Sequence, residues 1–462
     1  MIMTSCMFVW YESNSTLTLE TKKRIDILTL GCSKNLVDSE RLMARLENAG
    51  YKCYHDADRP TGRIVIINTC GFIGDAKEES INTILQFAQR KTAGKVDKLY
   101  VMGCLSQRYL HDLEDEIPEV DKWFGKFDFM KIVEEVERQK AEGKKQKAEG
   151  FERKLTTPKH YAYLKISEGC NRFCSYCAIP LITGRHTSRA KEDILSEARW
   201  LVGQGVKEIN VIAQDLSSYG LDLYGHHALA ELVDELAQID GIYWIRLHYA
   251  YPTDFPDELL EIMAKHKNVC KYLDIALQHC TTHMLTQMRR HITSEEQDAL
   301  IAHIREKVPG IHIRTTLMVG HPGETEEDFE QLCQWTRKMR FERMGAFAYS
   351  EEEGTYAAQH YTDDVPDEIK QKRLSRLMDI QQAISAELQE EKVGKVLTVL
   401  VDREETDYWV GRTEYDSPEV DCEVLIQKEN HNIIKTGDFI EVKIERAEEF
   451  DLYGKQVNMG RA

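Results

Sequence analysis

Early in the chain, three apolar runs of strand length each close on a cysteine. Residues 24–31 lead to Cys32, 63–69 to Cys70 and 98–103 to Cys104. Continuous apolar runs bounded by turns predict buried parallel strands. The segments between them change to helical spacing. Leu42, Leu46 and Ala49 share a face with Gly50 as the stop, and Ile81, Ile84, Leu85 and Ala88 share another. Over residues 23–140 this pattern predicts an α/β sandwich with a parallel sheet.

Lys, Glu, Gln and Gly then crowd residues 137–154, and we read 141–155 as a linker. A second domain, 156–387, opens at Thr156-Thr157-Pro158. Its strand-like runs at 161–166, 208–213, 243–249, 272–277, 312–319 and 345–349 alternate with amphipathic segments at 194–202, 229–236, 258–265, 295–307 and 326–339. Six β/α units predict a partial (β/α)6 barrel whose function sits at the carboxyl ends of its strands. From 388 to 462 the pattern shortens to runs at 396–401, 408–412, 422–426, 439–446 and 452–457. Five short strands predict a small antiparallel β-barrel. The chain is therefore read as α/β and multidomain.

Composition narrows the class. With 42% hydrophobic and 30% charged residues the chain is expected to be a soluble globular protein. No stretch of 18 apolar residues offers a transmembrane helix. Residues 1–22 lack the basic start and long apolar core of a signal peptide, so we read them as a loose N-terminal extension of a cytoplasmic protein. In that setting twelve cysteines do not form a disulfide framework. Cys53, Cys270 and Cys333 occupy ordinary helix or strand positions.

Six cysteines stand in special places. Sites in open parallel sheets form beyond the carboxyl ends of the strands, where Cys32, Cys70 and Cys104 fall. They are either three buried structural cysteines or one shared site. The other three lie in Cys170-Asn-Arg-Phe-Cys174-Ser-Tyr-Cys177, just after the first barrel strand. Three thiolates so spaced suit an iron–sulfur cluster or, with a fourth protein ligand, zinc. A four-iron cluster held by three cysteines leaves one iron open for chemistry. Gln214-Asp215 at the end of the second barrel strand, Arg314 in the fifth and the Gly320-His-Pro-Gly323-Glu turn after it are further candidates.

A Cys-x3-Cys-x2-Cys loop after the first strand of a partial barrel resembles the signature of radical S-adenosylmethionine (SAM) enzymes. The resemblance implies that the open iron chelates SAM and that one electron then releases a 5′-deoxyadenosyl radical, the cofactor doing the hard step. It also implies a SAM-contacting role for Gln214, Asp215 and Arg314. With the three N-terminal cysteines and a TRAM-like last domain, the chain from Lys23 onward is similar to methylthiotransferases. In that family Cys32, Cys70 and Cys104 would hold a second 4Fe-4S cluster concerned with sulfur, and no catalytic side chain is implied beyond the cluster ligands. The implied cofactors are two 4Fe-4S clusters and SAM.

Two branches of that family compete. One modifies an adenosine of tRNA; the other modifies the β-carbon of an aspartate in small-subunit ribosomal protein number twelve. Gly31-Cys-Ser-Lys34-Asn-Leu-Val-Asp-Ser-Glu40, Asn68-Thr-Cys70-Gly-Phe-Ile, Ala76-Lys-Glu-Glu-Ser-Ile81, Ala178-Ile-Pro180, Gly411-Arg-Thr and Pro418-Glu-Val-Asp421 resemble the second. Charge agrees. The whole chain carries −18, and residues 390–462 hold 10 Lys and Arg against 18 Asp and Glu, a net of −8. A barrel that grips tRNA should be basic; an acidic one suits a basic protein. The expected partners are thus the ribosomal protein and an external electron donor, with nucleic acid met only through the ribosome and no membrane. An iron–sulfur carrier without catalysis is the alternative from another class. Tyr408 and Trp409 either stack on a base or, as we favour, pack in the barrel. His226-His227 reads as a loop pair with no metal role.

Overall fold

The computed structural model describes residues 23–138, 153–428 and 434–457. The expected N-terminal extension and residues 141–152 of the expected linker lie outside them. The chain divides into two compact units, the second beginning at Thr157.

In the first unit, β1 (Arg24–Thr29), β2 (Lys52–His55), β3 (Ile64–Thr69), β4 (Lys98–Gly103) and β5 (Lys122–Trp123) form one sheet in the order β2-β1-β3-β4-β5. Every pairing is parallel. Helices Ser33–Asn48 and Phe129–Glu137 bury Leu42, Leu46 and Ile132 on one face, against Ile64 and Ile66. Helices Gly74–Thr92 and Cys104–Glu116 bury Ile84, Phe87 and Leu105 on the other, against Val65 and Ile67. Alternate residues of β3 thus enter opposite cores, which is why its sequence is apolar without interruption. Leu85, expected on the core face, is 42% exposed. The strand order reverses between β1 and β3, and such a switch opens a crevice beyond the carboxyl ends. Cys32, Cys70 and Cys104 follow β1, β3 and β4. Next to the linker, Arg153 Nη2 pairs with the buried Glu40 carboxylate at 2.7 Å and the Thr156 N–H donates to it at 2.6 Å.

In the second unit β6 (Tyr161–Lys165) starts a sheet, and the ribbon of β7 (Ser167–Glu168) with β8 (Thr187–Ser188) flanks the loop that follows it. β9 (Glu208–Ile212), β10 (Trp244–Ala250), β11 (Val269–Ile275), β12 (His312–Val319) and β13 (Arg343–Ala348) complete six strands. Their order is β6-β9-β10-β11-β12-β13, all parallel. β6 and β13 do not pair, so the barrel is partial. Covering helices start cleanly: Thr293 with Glu296, and Thr325 with Asp328, form capping boxes.

The last five strands, β14 (Val396–Glu404), β15 (Tyr408–Thr413), β16 (Val424–Gln427), β17 (Phe439–Ala447) and β18 (Leu452–Gln456), close as β14-β15-β16-β18-β17. The β16–β18 seam is parallel and the other four are antiparallel. A ring of five strands cannot alternate direction at every seam, so a wholly antiparallel closed barrel is geometrically excluded.

The segment after β15 plugs the amino-terminal end of the (β/α)6 sheet. Tyr161 donates to Glu419 at 2.9 Å, Arg246 to the Glu414 carbonyl at 2.6 Å and Tyr272 to Asp421 at 2.8 Å. Arg343 pairs with the buried Asp416. At the centre Arg412 holds Glu208 at 2.7 Å and Asp402 at 2.6 Å, all three largely buried. Removing one partner of a buried ion pair strands a charge, at a cost of about 3–5 kcal/mol. Arg412→Met is therefore expected to lower the urea midpoint by that free energy divided by the denaturant slope, the slope itself unchanged; an unmoved midpoint would show that the plug carries no stability.

Candidate active site

The first cysteine trio is assembled by close backbone approach. Gly31 has φ +93°, and a Cβ there would fall 2.8 Å from Cys70 Cβ, so the turn before Cys32 packs directly on Cys70. A Cβ on Gly71 would fall 2.6 Å from the Leu105 nitrogen, which brings the Cys70 and Cys104 turns together. Asn35 ties the three strand ends. Its Nδ2 donates to the Leu30 carbonyl at 2.9 Å and the Thr69 carbonyl at 3.1 Å, and its Oδ1 accepts from the Cys104 thiol at 3.6 Å. Ser80 accepts from the Cys70 N–H at 3.1 Å and donates to its carbonyl at 2.9 Å.

A cation completes this site. Lys126, 2% exposed, places Nζ 3.8 Å from Cys104 Sγ and 3.7 Å from Asp38 Oδ2. Burial raises the Cys70 thiol, with the Phe72 N–H opposing, and pushes Cys104 up to about 12, with Lys126 opposing. Cys32 is also penalised by desolvation, yet Lys34, Lys126 and the N–H groups of Asn35 and Lys34 together bring it below the ordinary thiol range. Burial alone disfavours the thiolate at Cys70 and Cys104, and a bound cationic centre would supply the charge that stabilises it.

The second trio lies in the loop after β6 and β7. Cys174 is buried, while Cys170 and Cys177 are partly exposed. Arg290, 2% exposed, donates to Cys174 Sγ at 3.3 Å and lies 4.0 Å from the Tyr251 ring centre. The Tyr251 hydroxyl is 3.6 Å from the same sulfur. The Arg172 N–H donates to Cys170 Sγ at 3.5 Å, and its guanidinium is held by Asp215 at 2.8 Å and Asp254 at 3.0 Å. Burial raises Cys177 and pushes Cys170 up to about 12. All six thiols are free of disulfides.

Among the described residues no three His, Cys, Asp or Glu converge as ligands of a single metal ion would. A four-iron cube takes its thiolates on separate irons, so its cysteines need not converge on one point. Beside the second trio, Gln214 Oε1, Arg172 Nη2 and Ser167 Oγ are buried without a hydrogen-bond partner. Unmet polar atoms beside a cysteine loop fit a polar cofactor.

Gln214 and Asp215 follow β9 at the carboxyl end, near this loop: Gln214 donates to Glu168 at 2.9 Å, and Asp215 grips Arg172. Arg314 is elsewhere. It is the third residue of β12, 3.4 Å from Asp274 and 3.3 Å from Asp421. Two carboxylates account for its guanidinium, so this arginine braces the plugged end of the sheet and does not join Gln214 and Asp215. His226 and His227 make local hydrogen bonds, to Glu231 at 3.0 Å and to the Ser217 carbonyl at 2.6 Å. Trp409 packs on the last barrel's core and Tyr408 faces Tyr453.

Known proteins share this architecture. Residues 24–125 match the uncharacterized protein family UPF0004, 164–336 the Radical SAM superfamily and 393–457 the TRAM domain. The radical S-adenosylmethionine methyltransferase TsrM from Kitasatospora setae, solved with cobalamin and a 4Fe-4S cluster, is similar with TM-score 0.54. That likeness covers 73% of this chain and 74% of TsrM at 15% identity, and shows the fold alone. Superfamily match, barrel and cysteine loop together make the chain a radical SAM enzyme. The ribosomal protein uS12 methylthiotransferase RimO of Bacteroides thetaiotaomicron is 60% identical over 95% of this chain and 99% of its own length. Its namesake in Christiangramia forsetii is 51% identical over 95% of each. The chain belongs to this RimO methylthiotransferase family, whose cofactors are two 4Fe-4S clusters and SAM.

Proposed function

We propose that this protein transfers a methylthio group to the β-carbon of an aspartate in ribosomal protein uS12. The observation that carries the reading is the presence of two three-cysteine sites, one at each sheet's carboxyl end, in a chain 60% identical to uS12 methylthiotransferases. One cluster suffices to generate a radical; a second with a free corner is what sulfur delivery adds.

In this reading Cys170, Cys174 and Cys177 hold the SAM cluster, and Cys32, Cys70 and Cys104 hold the sulfur cluster. When bound, cluster and SAM supply one-electron chemistry that can activate a carbon–hydrogen bond. The protein's part is to bind, orient and exclude water. Arg290 fixes Cys174, and Asp215 acts through Arg172 to set the loop between Cys170 and Cys174. Gln214 Oε1 offers an unused acceptor for the cofactor. No side chain is needed as general acid or base. The acidic last domain, net −8 over 390–462, is the docking surface for the basic substrate. Among the described residues no helix is long and apolar enough to cross a membrane. We place the reaction in the cytoplasm, where ribosomes are made, with an external electron donor.

The test is mass spectrometry of uS12 after anaerobic incubation with reconstituted enzyme, SAM, sulfide and reductant. The expected product carries one methylthio group in place of hydrogen on an aspartate. Unmodified uS12 together with a methylthiolated tRNA adenosine would overturn the assignment.

A further inference from the structure

Lys126 is the feature of the first trio that cluster ligation does not itself require. It follows β5, one residue beyond Gly125, and stands almost wholly out of water. Its ammonium faces Cys104 Sγ at 3.8 Å and Asp38 Oδ2 at 3.7 Å, and its charge also acts on Cys32 and Cys70. A buried charge of this kind is expensive to keep unless it is balanced. Asp38, itself 1% exposed, supplies one negative charge. The thiolates of a loaded site would add further negative charge on the side of Cys104. Charge and hydrogen bonding around the sulfurs are among the levers that set the potential of an iron–sulfur cluster.

We propose that Lys126 is a positioning residue for the N-terminal cluster: its ammonium offsets negative charge on the Cys104 side, Asp38 partly cancels it, and the pair sets how readily that cluster accepts an electron. This rests on the reading that Cys32, Cys70 and Cys104 hold a 4Fe-4S cluster. Reduction adds one negative charge to the site, so a nearby cation favours the reduced form and a nearby anion disfavours it. At short range in a desolvated site such charges are only weakly screened. The inference concerns the charge these two side chains present to the site and invokes no proton transfer.

The two residues make opposite predictions, which separates an electrostatic role from simple damage. The measurement is a redox titration of the reduced cluster's electron paramagnetic resonance signal. It uses the full chain carrying Cys170→Ala, Cys174→Ala and Cys177→Ala, so that only the N-terminal cluster reports. Lys126→Met should make reduction harder by about tenfold, a shift of about −59 mV for one electron. Asp38→Asn should shift the potential upward by a similar amount, and Lys126→Arg should restore a value near the parent's. Potentials unchanged in both Lys126→Met and Asp38→Asn, or shifted in the same direction, overturn the proposal. If Lys126→Met takes up no iron, Asp38→Asn decides the sign alone: a potential at or below the parent's overturns it. A parent lacking any four-iron signal would instead refute the cluster reading on which the proposal stands.

Discussion

A chain carrying Cys170→Ala, Cys174→Ala and Cys177→Ala is expected to form no 5′-deoxyadenosine from SAM and to bind about four irons per chain where the parent binds about eight. The loss should be complete. In the proposed reading SAM meets its cluster only at this loop, and the residues around the loop are built to serve it. Arg290 and Tyr251 converge on Cys174, and Arg172 spans from Cys170 to Asp215. Chromatographic assay of 5′-deoxyadenosine with dithionite as reductant reads the first effect and iron analysis the second. Persistent cleavage would mean that these cysteines are not the SAM site.

The complementary chain, with Cys32→Ala, Cys70→Ala and Cys104→Ala, should still cleave SAM while transferring no methylthio group to uS12. Its iron should also fall to about four per chain. The two units have separate cores and the trios belong to different sheets, so the second site should assemble without the first. The measurement is a split between two assays on one preparation, 5′-deoxyadenosine formed and uS12 mass gained. Retained transfer would remove the N-terminal trio from the reaction.

Much of this was legible because the informative residues sit where local pattern is strong. β1, β3 and β4 are buried on both faces and read as unbroken apolar runs, so the cysteines after them could be placed before any coordinates. The edge strands β2 and β5 escaped. They have four and two residues, and β2 is only partly buried, so neither has an apolar signature. The cysteine loop announced itself by spacing, but its supporting cations did not. Lys126 and Arg290 lie far from the cysteines in sequence, at 22 positions from Cys104 and 116 from Cys174. Only tertiary structure brings them in. Arg314 shows the reverse failure: an arginine in a barrel strand suggests a cofactor contact, yet its partner Asp421 comes from another domain 107 positions away. Asn35 lies inside the Gly31–Glu40 motif, but its work in joining three strand ends shows only in its hydrogen bonds.

The plug beneath the barrel bears on how truncations should be interpreted. Cutting the chain before the TRAM region would take away more than a substrate handle. It would expose Arg246 and Glu208, unseat Arg343 and uncover Trp244 and Tyr272, which share an apolar seam with Leu400 and Phe439. An inactive fragment of that kind would say little about recognition, because its catalytic half would have lost its foundation. Charge-reversing changes on the outer wall of the small barrel, leaving Arg412, Asp416 and Asp421 in place, would separate recruitment from architecture.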